Sequence, residues 1–141
     1  MKKFIELVRG CLSEVREIMP WDLEERMQDD PELLIVDVRE PYEYEAMHIA
    51  GSINVPRGIL ESACEWDFEE TVPELVQARE REVVVVCRSG YRSVLAAHSM
   101  QVLGYQDVVS LETGLRGWKD YDQPLQDGGG NEVDLDDADL Y

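Results

Sequence analysis

The architecture of this chain follows from one run of residues, Val83-Val84-Val85-Val86-Cys87-Arg88-Ser89-Gly90-Tyr91-Arg92. Consecutive valines favour a strand that is buried on both faces of a sheet. A helical pattern begins near Ser93, so the loop after the valines connects a strand to a helix. In open α/β sheets the ligand crevice forms at the carboxyl ends of the strands. Cys87 is therefore expected to lie in such a crevice.

The composition of this loop is typical of an anion-binding site. A loop that closes onto a helix start turns several backbone N–H groups inward, and the helix dipole adds positive potential. Gly90 permits backbone geometry that a Cβ atom would forbid, and Arg88 and Arg92 add two guanidinium groups. These features predict that Cys87 is a nucleophilic thiolate. The alternative is a packed core cysteine, which the polar neighbours disfavour.

Composition limits the classes of partner. The chain has 141 residues, of which 44% are apolar, as expected for one folded domain. Thirteen basic and 31 acidic residues give a formal net charge of −18. This charge repels nucleic acid and anionic membranes, and no apolar run is long enough to span a bilayer. We therefore expect neither nucleic acid nor a membrane as a partner.

The cysteines and histidines predict neither a disulfide framework nor a metal site. There are three cysteines, Cys11, Cys64 and Cys87, and no pair has the spacing of metal ligands. His48 and His98 have no cysteine at zinc-ligand spacing. Charged residues interrupt the first apolar run, so no signal peptide is predicted. We expect a cytoplasmic protein without a cofactor or metal.

Strand and helix signals alternate along the chain. Residues 1–16 form an amphipathic helix, whose apolar stripe packs on the domain or on a second copy in a homodimer. Residues 17–122 form one α/β domain, in which a mainly parallel sheet of about five strands lies between two helical layers. Residues 123–141 are Gly-rich and acidic and are expected to be disordered. The acidity of this tail is interpreted as an aid to solubility, although docking of a partner stays open.

Several ordered motifs resemble the rhodanese family of sulfurtransferases. They cover roughly residues 17–122, and their number and order make the resemblance specific. One departure is Thr113, which stands where the family often has a second glycine. The motifs are Asp37-Val38-Arg39-Glu40, His48–Pro56, Cys87–Ser93, Leu103-Gly104-Tyr105 and Gly114-Leu115-Arg116-Gly117-Trp118.

The resemblance implies a sulfurtransferase reaction in two steps. The Cys87 thiolate attacks the outer sulfur of thiosulfate or of a persulfide donor and becomes a persulfide. A thiol, cyanide or a sulfur-carrier protein then accepts that sulfur. Covalent catalysis of this kind replaces one difficult displacement of sulfur with two easier ones.

The remaining motif residues are assigned roles around this reaction. The residues of the cysteine loop are expected to bind substrate. Arg88 and Arg92 would bind the oxyanion end of a donor, and Ser89 and Ser93 would donate hydrogen bonds through their hydroxyls. Gly90 would contribute its backbone, and Tyr91 would face an acceptor. Ser93 is alternatively a helix cap. Asp37, Arg39 and His48 are interpreted as supporting structure, and Cys11 and Cys64 as packing residues. A second, less favoured role for Cys64 is resolution of the persulfide as a disulfide.

Two other functions stay open. Cysteine-dependent phosphatases and arsenate reductases of a related fold resemble this chain in having a cysteine–arginine cradle. They commonly carry five residues between the cysteine and the arginine, whereas this chain has four, which predicts a narrower nest suited to a single sulfur atom. The other alternative is a non-catalytic interaction module of the same family, and the presence of Cys87 argues against it.

Overall fold

The computed structural model describes residues 1–136, in which helices and strands alternate. A short 3-10 helix over Arg57–Ile59 precedes α4. The other elements are α1 (Phe4–Cys11), β1 (Glu17–Ile18), α2 (Pro20–Asp29), β2 (Leu34–Asp37), α3 (Pro41–Ala46), β3 (Ile53–Asn54), α4 (Leu60–Ala63), α5 (Pro73–Val76), β4 (Glu82–Val86), α6 (Arg92–Val102), β5 (Asp107–Leu111) and α7 (Gly114–Asp120).

The five strands form one sheet in the order β1-β5-β4-β2-β3, and every neighbouring pair is parallel. The valine strand β4 lies at the centre, with Val86 opposite Asp37 of β2. Because parallel strands need crossover connections, the helices lie on the two faces of the sheet. The predicted α/β fold with five parallel strands is confirmed.

Alternate residues of β4 belong to two separate hydrophobic cores. Val83 and Val85 pack in the core that includes residues of α1, α4, α5 and α6. Val84 and Val86 pack in the other core, with residues of α2, α7 and the segment after α7. Successive side chains of a strand point to opposite faces, so this division gives the three-layer α/β/α arrangement.

Helix α1 packs against α6. Val8 on α1 and Val15 just after it are buried in the core beneath α6. Phe4, Leu7 and Leu12 of the same apolar stripe remain exposed. Part of the stripe is therefore covered by the domain, and the homodimer through this helix stays a prediction.

The segment that follows α7 differs from the expected disordered tail. Leu125 is 1% exposed and belongs to the core shared with α2 and α7. The backbones of His48 and Gln126 exchange two hydrogen bonds, and the N–H of Val133 donates to the carbonyl of Leu125. Burial of Leu125 and these pairings hold the segment on the domain, although its composition is polar and glycine-rich. Residues 137–141 of the predicted tail lie outside the described residues.

Candidate active site

The site lies at the carboxyl edge of the sheet. Cys87 follows the last residue of β4 directly, and Asp37 ends the neighbouring strand β2 in register with Val86. The loop after β5 and the start of α7 reach the same edge, since the N–H groups of Leu115 and Arg116 donate to the carbonyls of Cys87 and Arg88. The start of α7, which follows β5, thus supports the cysteine loop.

Two backbone N–H groups point at the sulfur of Cys87. The N–H of Gly90 lies 3.1 Å from Sγ and that of Ser93 lies 3.3 Å from it. The residue is 1% exposed, and it lines a pocket of about 230 Å³ together with Phe4, Arg88, Ser89, Tyr91 and Arg92. Cys87 therefore lines the pocket from a buried position, and its sulfur accepts hydrogen bonds from two backbone N–H groups.

A pair of serine hydroxyls extends this arrangement into the protein interior. Cys87 Sγ lies 3.3 Å from Ser93 Oγ, and Ser93 Oγ lies 2.7 Å from Ser110 Oγ on β5. Both serines are fully buried. With a protonated thiol the sulfur donates to Ser93, and with a thiolate Ser93 donates to the sulfur while Ser110 donates to Ser93. The Ser93 hydroxyl can therefore form a hydrogen bond with Cys87 in both its thiol and its thiolate form.

Two glycines shape the backbone around the loop. Gly90 has a φ of 92°, a conformation that residues with a Cβ atom rarely adopt. Gly114 has a φ of 60°, and a Cβ atom there would lie 2.5 Å from the carbonyl oxygen of Cys87. Thr113, which replaces a glycine that is common in the resembled family, also has a positive φ of 67°. The start of α7 can approach the cysteine loop only because Gly114 has no side chain.

Arg92 is held by a carboxylate. Its Nη1 and Nη2 atoms donate to Oε1 and Oε2 of Glu43 on α3 at 2.9 and 3.1 Å. Burial alone would raise the pKa of Glu43, but the hydrogen bonds from Arg92 and from the Glu40 backbone hold it below its ordinary value. The same pairing raises the pKa of Arg92. Arg92 therefore lines the pocket with its positive charge already paired with the Glu43 carboxylate.

Arg88 differs from Arg92 in its partners. Among residues 1–136 its side chain makes no hydrogen bond or ion pair, and its buried Nε atom has no partner. Arg88 lines the same pocket as Cys87. Within the described chain it is therefore the pocket guanidinium whose charge is still available to a ligand.

The three residues assigned to supporting structure make buried contacts with one another, with α3 or with the loop after α3. Arg39 Nη2 donates to Asp37 Oδ2 at 2.9 Å and to the carbonyl of Met47, and both charged side chains are fully buried. His48 stacks on Tyr44 with ring centroids 3.8 Å apart. These contacts join β2 to the loop after α3, which fits a structural role.

The other cysteines and histidine lie elsewhere. Cys64 is fully buried, and burial raises the pKa of its thiol, which fits the packing role. Cys11 is partly buried on α1, and His98 Nε2 lies 2.8 Å from Glu14 Oε2. Within residues 1–136 no cluster of His, Cys, Asp or Glu is arranged to hold a metal ion. No helix in that part of the chain is long and apolar enough to cross a membrane.

Four residues of the site were missed from the sequence. Glu43 and Ser110 carry no local signal, because their partners are distant in the chain. Gly114 lies in a quoted motif, but only the packing of α7 on the loop explains it. Phe4 lies far from every motif and yet lines the pocket of Cys87.

Comparison with known proteins agrees with these features. The family model described as "Rhodanese-like domain" matches residues 20–121. Over 106 residues the chain is 33% identical to "Putative sulfur carrier protein YrkF" of Bacillus subtilis, covering 75% of this chain and 52% of that protein. It is also 33% identical, over 103 residues, to "Putative thiosulfate sulfurtransferase, mitochondrial" of Schizosaccharomyces pombe, covering 71% and 72%.

Among solved structures, one of Rhodopseudomonas palustris matches with a TM-score of 0.81 and 26% identity, covering 89% of this chain and 96% of that one. Its description is "Protein of Unknown Function RPA3614, Possible Tyrosine Phosphatase". The chain spans about half the length of the Bacillus relative, and about a quarter of the length of others. The family match covers most of the chain, so the protein belongs to the rhodanese-like domain family.

Proposed function

We propose that this protein is a sulfurtransferase that carries sulfane sulfur as a persulfide on Cys87. The observation that carries the proposal is the position of Cys87 Sγ. It receives hydrogen bonds from the backbone N–H groups of Gly90 and Ser93 and lines an open pocket at the sheet edge. The relatives named as a sulfur carrier and as a thiosulfate sulfurtransferase support the same class of reaction.

In the first step the Cys87 thiolate attacks the outer sulfur of thiosulfate or of a persulfide donor. A new S–S bond forms on Cys87, the S–S bond of the donor breaks, and the electron pair leaves with sulfite or with the donor thiolate. The N–H groups of Gly90 and Ser93 stabilise the attacking thiolate without any reorganisation. Ser93 adds a third donor through its hydroxyl.

Arg88 holds the negative end of the donor in this mechanism. Its side chain has no partner among residues 1–136, whereas Arg92 is paired with Glu43. A guanidinium that lines the same pocket as Cys87 suits an oxyanion, because it offers several N–H donors in one plane. Arg92 then has a supporting role, in which its ion pair joins the start of α6 to α3.

In the second step an acceptor thiolate or cyanide attacks the outer sulfur of the Cys87 persulfide. The S–S bond breaks and Cys87 leaves as a thiolate, which the same N–H groups stabilise. The acceptor enters past Ser89 and the half-exposed Tyr91, which line the pocket. A small thiol or the thiol of a sulfur-carrier protein fits this description.

The direct test is the intact mass of the protein after incubation with thiosulfate. We expect one added sulfur atom, which cyanide removes, and no addition to Cys87→Ser. Cys11→Ser is the matched control, since Cys11 is a partly exposed cysteine on α1 and should leave the addition unchanged. A folded wild-type protein that gains no sulfur, or a Cys87→Ser variant that still gains it, would refute the proposal.

The two alternatives give different results in the same set of experiments. A phosphatase would hydrolyse a phosphoester in a Cys87-dependent reaction without gaining sulfur. The pairing of both terminal nitrogens of Arg92 with Glu43 argues against this, because the cradle arginine would have to leave its carboxylate to bind phosphate. A non-catalytic module would retain its biological activity in the Cys87→Ser variant.

A further inference from the structure

Helix α1 contributes an aromatic wall to the cysteine pocket. Phe4, its first residue, lies outside the segment 20–121 that the family model matches. It nevertheless lines the same pocket as Cys87 and Arg88. Phe4 therefore reaches the pocket from outside the matched segment.

The wall consists of two rings that contact each other. The rings of Phe4 and Tyr91 meet edge to face, with centroids 6.1 Å apart and planes at 90°. Phe4 is 54% exposed and Tyr91 is 47% exposed. Both rings line the pocket and keep about half of their surface exposed to solvent, and an aromatic ligand gains from edge-to-face geometry of this kind.

The position of Phe4 is fixed by the packing of α1. Val8 is buried one turn along the helix, and after the helix Val15 is buried too. The side chain of Gln101 on α6 donates to the carbonyl of Glu14 at 2.8 Å. These contacts hold the backbone of α1 on α6, the helix that begins at the end of the cysteine loop.

We propose that Phe4 and Tyr91 bind the apolar, aromatic body of an organic sulfur donor, so that the site prefers an aryl thiosulfonate to inorganic thiosulfate. The inference rests on the proposed sulfurtransferase function. The Cys87 thiolate attacks the outer sulfur of the donor, and a new S–S bond forms. The S–S bond of the donor breaks, and the electron pair leaves on an aryl sulfinate, whose oxygens face Arg88. Inorganic thiosulfate binds the same Arg88 guanidinium but does not contact the rings of Phe4 and Tyr91.

The test compares benzenethiosulfonate, methanethiosulfonate and thiosulfate as donors for the full chain, with cyanide as acceptor. In the wild type we expect the highest kcat/KM with benzenethiosulfonate. In Phe4→Ala we expect kcat/KM for this donor to fall about two- to tenfold relative to the two donors without a ring. Leu7→Ala is the matched control, because Leu7 is 47% exposed on the same helix and does not line the pocket.

Inhibition by benzenesulfinate gives a second measurement that needs no turnover of an aromatic donor. We expect its inhibition constant against thiosulfate to rise by a similar factor in Phe4→Ala and to stay constant in Leu7→Ala. Unchanged ratios in Phe4→Ala, or an equal change in Leu7→Ala, would overturn the inference while the sulfurtransferase proposal stands. If no donor places sulfur on Cys87, the proposed function itself fails.

Discussion

Cys87 is surrounded by groups that keep their charge state over a wide pH range. Within residues 1–136, the groups within hydrogen-bond distance of its sulfur are the N–H of Gly90 and the N–H and hydroxyl of Ser93. Backbone amides and serine hydroxyls do not titrate near neutral pH. These donors form the cradle of Cys87, and none of them is lost by titration near neutral pH.

Gly114 offers a test of the cradle that leaves every polar group in place. In Gly114→Ala the new Cβ atom meets backbone atoms of Cys87 and Arg88 at 2.5–2.6 Å, and a φ of 60° disfavours alanine. We expect a loss of roughly 1–3 kcal/mol in the free energy of unfolding. We also expect a lower rate of persulfide formation, because the loop must move. Urea denaturation and the intact-mass assay measure the two effects.

Gly10→Ala is the control for this substitution. Nothing lies within 4 Å of a Cβ atom at Gly10, which is in helix α1 and has no positive φ. Alanine there should stabilise the helix by up to about 1 kcal/mol and leave persulfide formation unchanged. A Gly114→Ala protein with wild-type stability and rate would show that α7 does not constrain the loop.

Glu43→Gln tests the ion pair with Arg92. The pKa of Glu43 is lowered in the folded state, so the pair contributes stability above the ordinary carboxyl pKa of about 4.3. That contribution is lost as the pH falls through the lower folded pKa. Because Arg92 is partly exposed, we expect Glu43→Gln to cost ~1–2 kcal/mol near neutral pH. The difference from the wild type should shrink below about pH 4.

Urea denaturation of both proteins between about pH 3 and about pH 7 measures this dependence. Glu61→Gln is a useful comparison, since Glu61 is an exposed residue in an i,i+4 pair with Arg57 and should cost only ~0.3–0.5 kcal/mol. A Glu43→Gln difference that stays constant or grows at acid pH would contradict the assignment of the lowered pKa to this pair.

At the scale of elements, the segment after α7 acts as part of the domain. Leu125 packs with Leu115 and Trp118 of α7 in one core, and the indole N–H of Trp118 donates to the carbonyl of Pro124. The backbone pairing of Gln126 with His48 ties the same segment to the loop after α3. The segment therefore joins α7 to the loop after α3.

Leu125→Ala should destabilise the protein by about 2–5 kcal/mol, as expected for the removal of a buried leucine side chain. The physical reason is the cavity left between α7 and the segment, together with the lost burial of apolar surface. Thermal or urea denaturation measures the change, with the exposed Leu7→Ala as control. Equal stability of the two variants would indicate that the segment does not pack on the domain in solution.

At the scale of the whole molecule, the net charge of −18 is a source of self-repulsion. Compaction brings the excess carboxylates closer together, and salt screens their repulsion. We expect the free energy of unfolding to rise by about 1 kcal/mol between roughly 0.02 M and 0.2 M NaCl. Urea denaturation at each salt concentration measures it, and KCl should give the same result. A decrease with both salts would mean that attractive pairs outweigh the repulsion.

Much of the fold could be predicted from local patterns. Three kinds of signal lie where the structure has the corresponding elements. They are the valine run of β4, the alternation of strand and helix patterns, and the residues Pro20, Pro41 and Gly104 near helix ends. These signals depend on neighbouring residues alone, because burial periodicity and turn propensity are local properties. The same locality limits what could be predicted for the tail at 123–141, because its polar composition conceals the buried Leu125.

The sequence by itself determined the family, the parallel α/β architecture and the position of Cys87 at the end of a central strand. Only the tertiary structure distinguished Arg88 from Arg92, placed Ser110 beside Ser93 and brought Phe4 to the pocket. The pairing of Arg92 with Glu43 spans 49 residues and that of Ser93 with Ser110 spans 17. Such contacts depend on how the helices pack on the sheet, and no pattern of neighbouring residues encodes that packing.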